Sequence, residues 1–272
     1  MHNIATLFAA ARLSMPFFMF TIPLKALALM LTLGLALAQN TASADETWPQ
    51  DHRVAISLNY DDALNSQLDN ALPALNRFNH KASFYLTLSS PVVAQRIAEW
   101  RALAAEGHEL GNHTLFHHCR ASLAERDWVA PHQDLDQRSP EQLRDEIITA
   151  NHFLTAIDGR RQRTFTPPCG DTQAGGKDFL PLIRPHLLAI KGQEPKYLNA
   201  VWLSPTNVDG AALITLVQQH AQGSLLINLT FHGVGGDYLS ISSEAHEQLL
   251  RYLAAHPDKF YVATYQELAR GF

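Results

Sequence analysis

The sequence predicts an α/β protein built on parallel strands. Two observations carry that prediction. Apolar runs of strand length alternate with amphipathic helical stretches along the chain, and such alternation means parallel strands joined by crossover helices. Three of the runs also end in metal-binding or acid–base side chains: Asp61-Asp62 after the first, His113 and His117 after the third, His232 after a late one. Parallel α/β folds, whether closed barrels or open doubly wound sheets, gather their chemistry at strand C-termini. No Gly-x-Gly-x-x-Gly or phosphate loop follows the first strand. Carboxylates stand there instead, which argues against nucleotide binding.

The 272 residues are 46% apolar and 17% charged, enough for an ample core. The formal charge is only −5, and no Lys/Arg stripe or basic tail supports nucleic-acid binding. Residues 4–38 are almost all apolar or small, with Arg12 and Lys25 the only charges. Small-x-small patterns follow at Ala36-Leu37-Ala38 and Ala42-Ser43-Ala44. Residues 1–44 therefore read as a signal peptide or N-terminal anchor, with translation starting at Met1, Met15 or Met19. Residues 45–272 read as the catalytic domain. Cleavage is favoured, giving a periplasmic or extracellular protein; retention would leave a membrane anchor. Cys119 and Cys169 are either a disulfide or two buried thiols. The disulfide is favoured, because each cysteine follows a segment at the expected active-site face.

A polar linker precedes the first strand, 54–60, and Asp61-Asp62 sit at its C-terminal end. Leu68, Leu72, Leu75 and Phe78 recur at helical spacing over 64–79, where Pro73 predicts a kink. The second strand is 82–88. A helix opens at Pro91, sets Val93, Ile97, Trp100 and Ala104 on one face and stops at Gly107. A short strand, 108–112, leads into the histidines. Residues 119–138 are polar and irregular, a long loop. Ser139-Pro140-Glu141-Gln142 has the pattern of a capping box with proline at the first helical position. Leu143, Ile147, Ala150, Leu154 and Ile157 mark the buried stripe of the helix that Asp158-Gly159 ends. A brief strand at 164–166 is broken by Pro167-Pro168. Strands follow at 187–190 and 197–203, a helix at 211–221 and a strongly apolar strand at 224–231. The tail gives a helix at 243–255, a strand at 260–263 and a helix at 264–269. Residues 232–237 are glycine-rich but have no helix start behind them, and read as a flexible active-site loop.

His113 and His117 lie four residues apart, so both rings can reach one ion if the segment is helical or tightly turned. His118 would point elsewhere. With 14 histidines in the chain, the pair gains its weight from Asp61-Asp62 and His232. One Asp with two His makes a three-ligand set that leaves positions open for water and substrate, and such mixed ligation suits zinc best among common ions. The other Asp would be a general base, and His232 the acid for the leaving group. The sum is metal-assisted hydrolysis of an acyl bond. The competing readings are ordinary: Asp61 as a helix cap, His232 as a turn residue, Trp202 as core.

In order and spacing these motifs resemble those of the polysaccharide deacetylases, carbohydrate esterase family four, also called the NodB-homology domain. Asn59-Tyr60-Asp61-Asp62-Ala63 is similar to the family's Thr-Phe-Asp-Asp-Gly, and His113-Thr114-Leu115-Phe116-His117 matches its His-Ser/Thr-x-x-His fully. Thr166-Pro167-Pro168-Cys169-Gly170 is similar to Arg-x-Pro-Tyr-Gly, and Leu229-Thr230-Phe231-His232 to an apolar run ending in histidine. The resemblance spans residues 54–270. It implies a distorted (β/α) barrel of about seven parallel strands and an acetylated glycan as substrate. It implies Asp61 as base, and Asp62, His113 and His117 as ligands of a divalent ion, Zn2+ by preference. It also implies His232 as acid and the backbone N–H of Cys169 as oxyanion donor. Trp202, Pro168 and Phe231 are the expected pocket residues. The alternative is a non-catalytic carbohydrate- or metal-binding module on the same barrel.

Four departures qualify the resemblance. Ala63 replaces glycine, so the turn after Asp62 must avoid positive φ or carry strain. Thr166 replaces the arginine that orients the base in the family; either Arg120 or Arg163 supplies that charge, or the base is less well held. Cys169 replaces tyrosine, which is harmless to a backbone donor. The family's fourth motif, an Asp that tunes the acid histidine, has only Asp209 as a counterpart.

Overall fold

A computed structural model describes residues 53–272 of the chain. The leader or anchor expected over 1–44 lies outside the described residues. The strands, in chain order, are β1 (Val54–Asp61), β2 (Ser83–Leu86), β3 (Glu109–Asn112) and β4 (Thr164–Phe165). Then come β5 (Gln173–Ala174), β6 (Lys177–Asp178), β7 (Ala189–Ile190), β8 (Val201–Leu203), β9 (Leu226–Phe231) and β10 (Phe260–Ala263). The main sheet runs β7-β4-β3-β2-β1-β9-β8, with β10 added beside β1. Every pairing in it is parallel. This is the curled parallel sheet of a distorted barrel, left open between β7 and β8. β5 and β6 form a separate antiparallel hairpin about Gly175-Gly176, a glycine turn between strands too short to show a period.

The pleat of β1 sorts its residues between two environments. Ile56, Leu58 and Tyr60 face the helices and join the main core with Phe84, Leu86, Leu110, Ile227, Leu229 and Phe231. Tyr60 stacks on Phe84 with ring centroids 4.8 Å apart. Each such buried side chain contributes about 1.5–3 kcal/mol relative to exposure. The alternate residues, Ala55, Ser57, Asn59 and Asp61, face the barrel interior because strand side chains repeat with period two. That interior holds an apolar cluster of Ala55, Tyr85, Leu226, Ala263 and Tyr265. It also holds buried polar groups. Glu109 accepts from Ser83 Oγ at 2.6 Å and from the Gln266 N–H at 2.8 Å, and takes a third bond from Thr164 Oγ1. Burial pushes the Glu109 carboxyl up against the pull of those bonds. Gly111 shows how closely the interior packs: a Cβ there would lie 2.4 Å from the Tyr85 ring.

The helices are α1 (Leu72–Arg77), α2 (Pro91–Gln95), α3 (Ile97–Ala105), α4 (Pro140–Asp158), α5 (Leu180–Ile183), α6 (Gly210–His220), α7 (Ser243–Ala255) and α8 (Tyr265–Ala269). α4 carries both halves of the capping box expected at Ser139 and Gln142, and ends on Gly159 at φ 77°. The kink expected at Pro73 takes the form of a π-helical turn, Gln67–Ala71, running directly into α1. Proline has no N–H for the preceding turn, so the ladder widens before it. The single helix expected after Pro91 is split at Arg96, whose φ is −121°. Among the described residues no helix is long and apolar enough to cross a membrane.

Candidate active site

The inward parity of the strands delivers the functional side chains to one mouth. Asp61 ends β1, His113 follows β3, Thr166 follows β4, Lys191 follows β7 and His232 follows β9. Because the strands are parallel, all these ends lie on one side. They line or underlie a cavity of about 770 Å3 bounded by Asp61, Asp62, His113, His117, Thr166, Pro167, Cys169, Trp202 and His232. Asp62 breaks the alternation, which would turn it towards the helices. Asp62 and Ala63 take φ 79° and 60° instead, and the chain turns the second carboxylate back into the mouth. Of the two outcomes open to Ala63, it takes the positive φ and carries the strain, a conformation of the kind that collects at functional sites.

Asp62, His113 and His117 converge. Asp62 Oδ1 lies 3.3 Å from His113 Nε2 and 3.2 Å from His117 Nε2. Their ligand atoms all fall within 4.8 Å of one another. The histidine segment is a tight turn, not a helix: Thr114 has φ 67° and His117 φ 55°. His113 Nδ1 lies 2.7 Å from the Thr166 carbonyl, so Nδ1 carries a proton and donates it. In neutral His113 the Nε2 lone pair then points at a carboxylate oxygen. Asp62 Oδ1 is buried and accepts no well-formed hydrogen bond. Acceptors gathered in this way call for a cation between them, and the donor set fits a divalent ion. Without one, burial would raise the Asp62 carboxyl, but the close approach of the His113 and His117 rings holds it well below the usual carboxylate range. Burial pushes His113 down, and Asp61 and Asp62 more than reverse this. Tyr238 donates to Asp62 Oδ2 at 2.9 Å, and His232 Nε2 stands 3.8 Å from the same oxygen.

The opposite wall is the turn after β4. Cys119 and Cys169 form a disulfide, with Cα atoms 5.9 Å apart. It ties this turn to the loop that follows the histidines. Arg126 strengthens the tie, reaching the Cys169 carbonyl at 3.2 Å and Asp171 at 3.4 Å. Cys169 sits at φ 58°. Among the described residues no carbonyl outside its own turn takes its N–H, which leaves that donor beside the cavity.

Several expectations are corrected here. Phe231 is buried in the main core against Tyr60 at 5.6 Å; strand parity sends it outward, so it is not a pocket residue. Pro168 is buried too, and its neighbours Pro167 and Cys169 line the cavity in its place. Arg120 is engaged by Asp136 at 2.8 Å, and Arg163 is buried against Asp158; neither supplies a charge to the base. Asp209 caps α6 by accepting from Ala212 N–H at 2.8 Å. His232 Nδ1 is buried without a hydrogen-bond partner, so no carboxylate accepts from that nitrogen. The glycine-rich loop after His232 is tightly packed: a Cβ on Gly233 would lie 2.1 Å from the Gly236 carbonyl. Three cavity-side residues escaped the sequence reading. Tyr238 sits in that loop, Trp128 in the polar 119–138 loop, and Lys191 just past a short apolar run. Only the last carries a signal, a cation at a strand end.

Comparison with known proteins now bears on this site. Residues 49–177, just under half of the chain, match the family model described as Polysaccharide deacetylase. Over those residues the chain is similar to the polysaccharide deacetylases. Among solved structures the chain is similar to the peptidoglycan deacetylase PdaC of Bacillus subtilis, with TM-score 0.54, 16% identity and coverage of 81% of this chain and 92% of that one. A family 4 acetyl xylan esterase of Clostridium thermocellum gives TM-score 0.52, 20% identity, and coverage of 79% and 89%. A CE4 family pseudoenzyme of Bacillus anthracis gives 0.54, 16%, and coverage of 80% and 66%. These likenesses show the barrel. A gellan lyase of Bacillus sp is 28% identical over 123 residues, which are 45% of this chain and only 4% of that protein. The match over residues 49–177 includes Asp61, Asp62, His113 and His117, the residues that carry the motif resemblance.

Proposed function

We propose that the protein is a metal-dependent hydrolase that removes acetyl groups from an N- or O-acetylated polysaccharide or oligosaccharide. One observation carries the reading: His113 Nε2, His117 Nε2 and Asp62 Oδ1 converge while the Thr166 carbonyl fixes the His113 tautomer. Asp62, His113 and His117 would hold the ion, and mixed Asp/His donors favour Zn2+. When bound, the ion polarises an acyl oxygen and lowers the pKa of water from about 16 towards 7. Asp61 takes the proton of the attacking water. The Cys169 N–H meets the oxyanion that develops on the acyl carbon. His232 donates a proton to the departing amine or alkoxide. The exposed faces of Trp128, Trp202 and Tyr238 rim the cavity, a surface suited to sugar rings.

We also place the mature protein, residues 45–272, outside the cytoplasm. The apolar leader supports this, as does a disulfide, which persists in oxidising compartments. A second reading, a binding module without turnover, draws on one observation: threonine at position 166 in place of the motif arginine. Acetate release decides between them. Purified protein would be assayed on acetylated chitin oligomers, peptidoglycan and xylan, before and after chelation and with Zn2+ restored. Release that chelator abolishes and Zn2+ restores is the expected result. Full metal loading with no release from any substrate would favour the binding module.

A further inference from the structure

Lys191 has no place in the motifs, yet it is fully buried at the centre of the barrel mouth. Its Nζ lies 3.9 Å from Asp61 Oδ1 and 3.3 Å from Thr230 Oγ1. The ammonium also sits over two rings, 4.5 Å from the Tyr85 centroid and 5.1 Å from that of Trp202. We propose that Lys191 is the positioning residue for Asp61, holding the base carboxylate in its working orientation from the strand next to the one that carries Thr166. The proposal rests on the reading of Asp61 as the base.

The register places it there. β4 and β7 pair Thr164 with Ala189 and Phe165 with Ile190, so the next residues along the two strands are Thr166 and Lys191. Both have inward parity. Thr166 is too short to carry a charge to the base, and its hydroxyl is buried without a partner. Lys191 provides the cation instead. Asp61 Oδ1 is buried with no hydrogen bond; the ammonium faces it at 3.9 Å, and the His113 ring is the other group whose charge it favours. A buried cation needs a counter-ion; burial pushes Lys191 down, and the nearby carboxylates of Asp61, Glu194 and Glu109 oppose that push in part. Lys191 does not line the cavity. It therefore acts through Asp61 and not on substrate. The competing role is a strut that joins the open edges β7 and β8 through Trp202.

A double-mutant cycle separates the two roles. Full-length protein and the variants Lys191→Met, Asp61→Asn and the double variant would be assayed for acetate release from acetylated chitin oligomers, with metal content and melting temperature measured alongside. Lys191→Met is expected to lower kcat about 10- to 100-fold, the scale of a misplaced catalytic group, with KM and metal content near wild type. Lys191→Arg, which keeps the charge, should recover part of the loss. On the Asp61→Asn background, Lys191→Met should remove nothing more from the residual rate. Wild-type kcat in Lys191→Met, or equal losses on both backgrounds, would overturn the proposal. If Lys191→Met does not fold, Lys191→Gln takes its place in the cycle; failure of both to fold would establish the strut. A wild-type rate in Asp61→Asn would remove the base assignment itself, and the proposal with it. Inactive Asp61→Asn beside fully active Lys191→Met would remove the proposal alone.

Discussion

Asp61 and Asp62 are consecutive, yet the backbone sends them to different partners. Asp61 leaves β1 inward, 3.9 Å from Lys191, while Asp62 passes through a positive-φ turn to His113, His117 and Tyr238. Their substitutions should therefore part company. Asp62→Ala should lose metal and activity together; a full equivalent of metal in the purified variant would remove Asp62 from the ligand set. Asp61→Asn should keep its metal and lose about 10²- to 10⁴-fold in rate, the range of general-base catalysis. His232 makes a different prediction. An amine or alkyl alkoxide needs its proton far more than an aryl alkoxide does. His232→Ala should thus harm amide and alkyl-ester substrates much more than an activated aryl acetate. Equal losses on both would make His232 structural or a further ligand. The aspartates and the three histidines were legible as residue types at run-ends. Phe231 and Pro168 were misread because neighbours in sequence alternate between cavity and core.

Among the elements, the loop over 119–138 and the turn after β4 act as one unit. The Cys119–Cys169 bond, Arg126 and Asp171 join them. The bond spans 50 residues, and loop-closure entropy for that length is about 4 kcal/mol. Reduction, or a Cys119→Ser/Cys169→Ser variant, should lower urea stability by about that amount and loosen the turn that carries the oxyanion donor. Thiol titration of denatured, unreduced protein tests the bond directly, and two free thiols would refute it. Elements set by local chemistry matched expectation: the capping box at Ser139 and the Gly159 stop bound α4 as expected. Those set by contacts elsewhere did not. The β5–β6 hairpin lacks a period of its own, and the two-residue strands β4 and β7 exist only because β3 and each other pair with them.

For the molecule as a whole, buried histidines tie stability to pH. His108 is pushed down to about 3 by burial, then by Lys81 and Arg160, and His246 to about 3 by burial, then by His80. His108 Nδ1 accepts the Ala82 N–H at 3.2 Å, a bond that protonation breaks. His246 Nε2 meets the Tyr60 hydroxyl at 2.6 Å, in the core behind β1. Since the folded values lie below the ordinary 6.5, the unfolded chain binds more protons in between. Stability is full above pH 6.5 and falls as pH drops towards 3, by up to about 1.4 kcal/mol per pH unit for each histidine. Urea midpoints at pH 7, 5.5 and 4.5 should decline in that order. His108→Asn should flatten the decline by one histidine's share, and a midpoint independent of pH would contradict the assignment.

The sequence alone determined the parallel α/β class, most helix ends and which residues are proposed as acid, base and ligands. It could do so because alternation, capping and motif spacing are local properties that each segment carries with it. The tertiary structure decided which carboxylate faces which partner, through strand parity and one positive-φ turn. It alone brought Tyr238 from a distant loop to Asp62, and Lys191 from β7 to Asp61. A lone lysine after a short apolar run marks a cation at a strand end but not the group it faces. Its role depends on the register of two neighbouring strands, which is fixed only when the sheet closes around them.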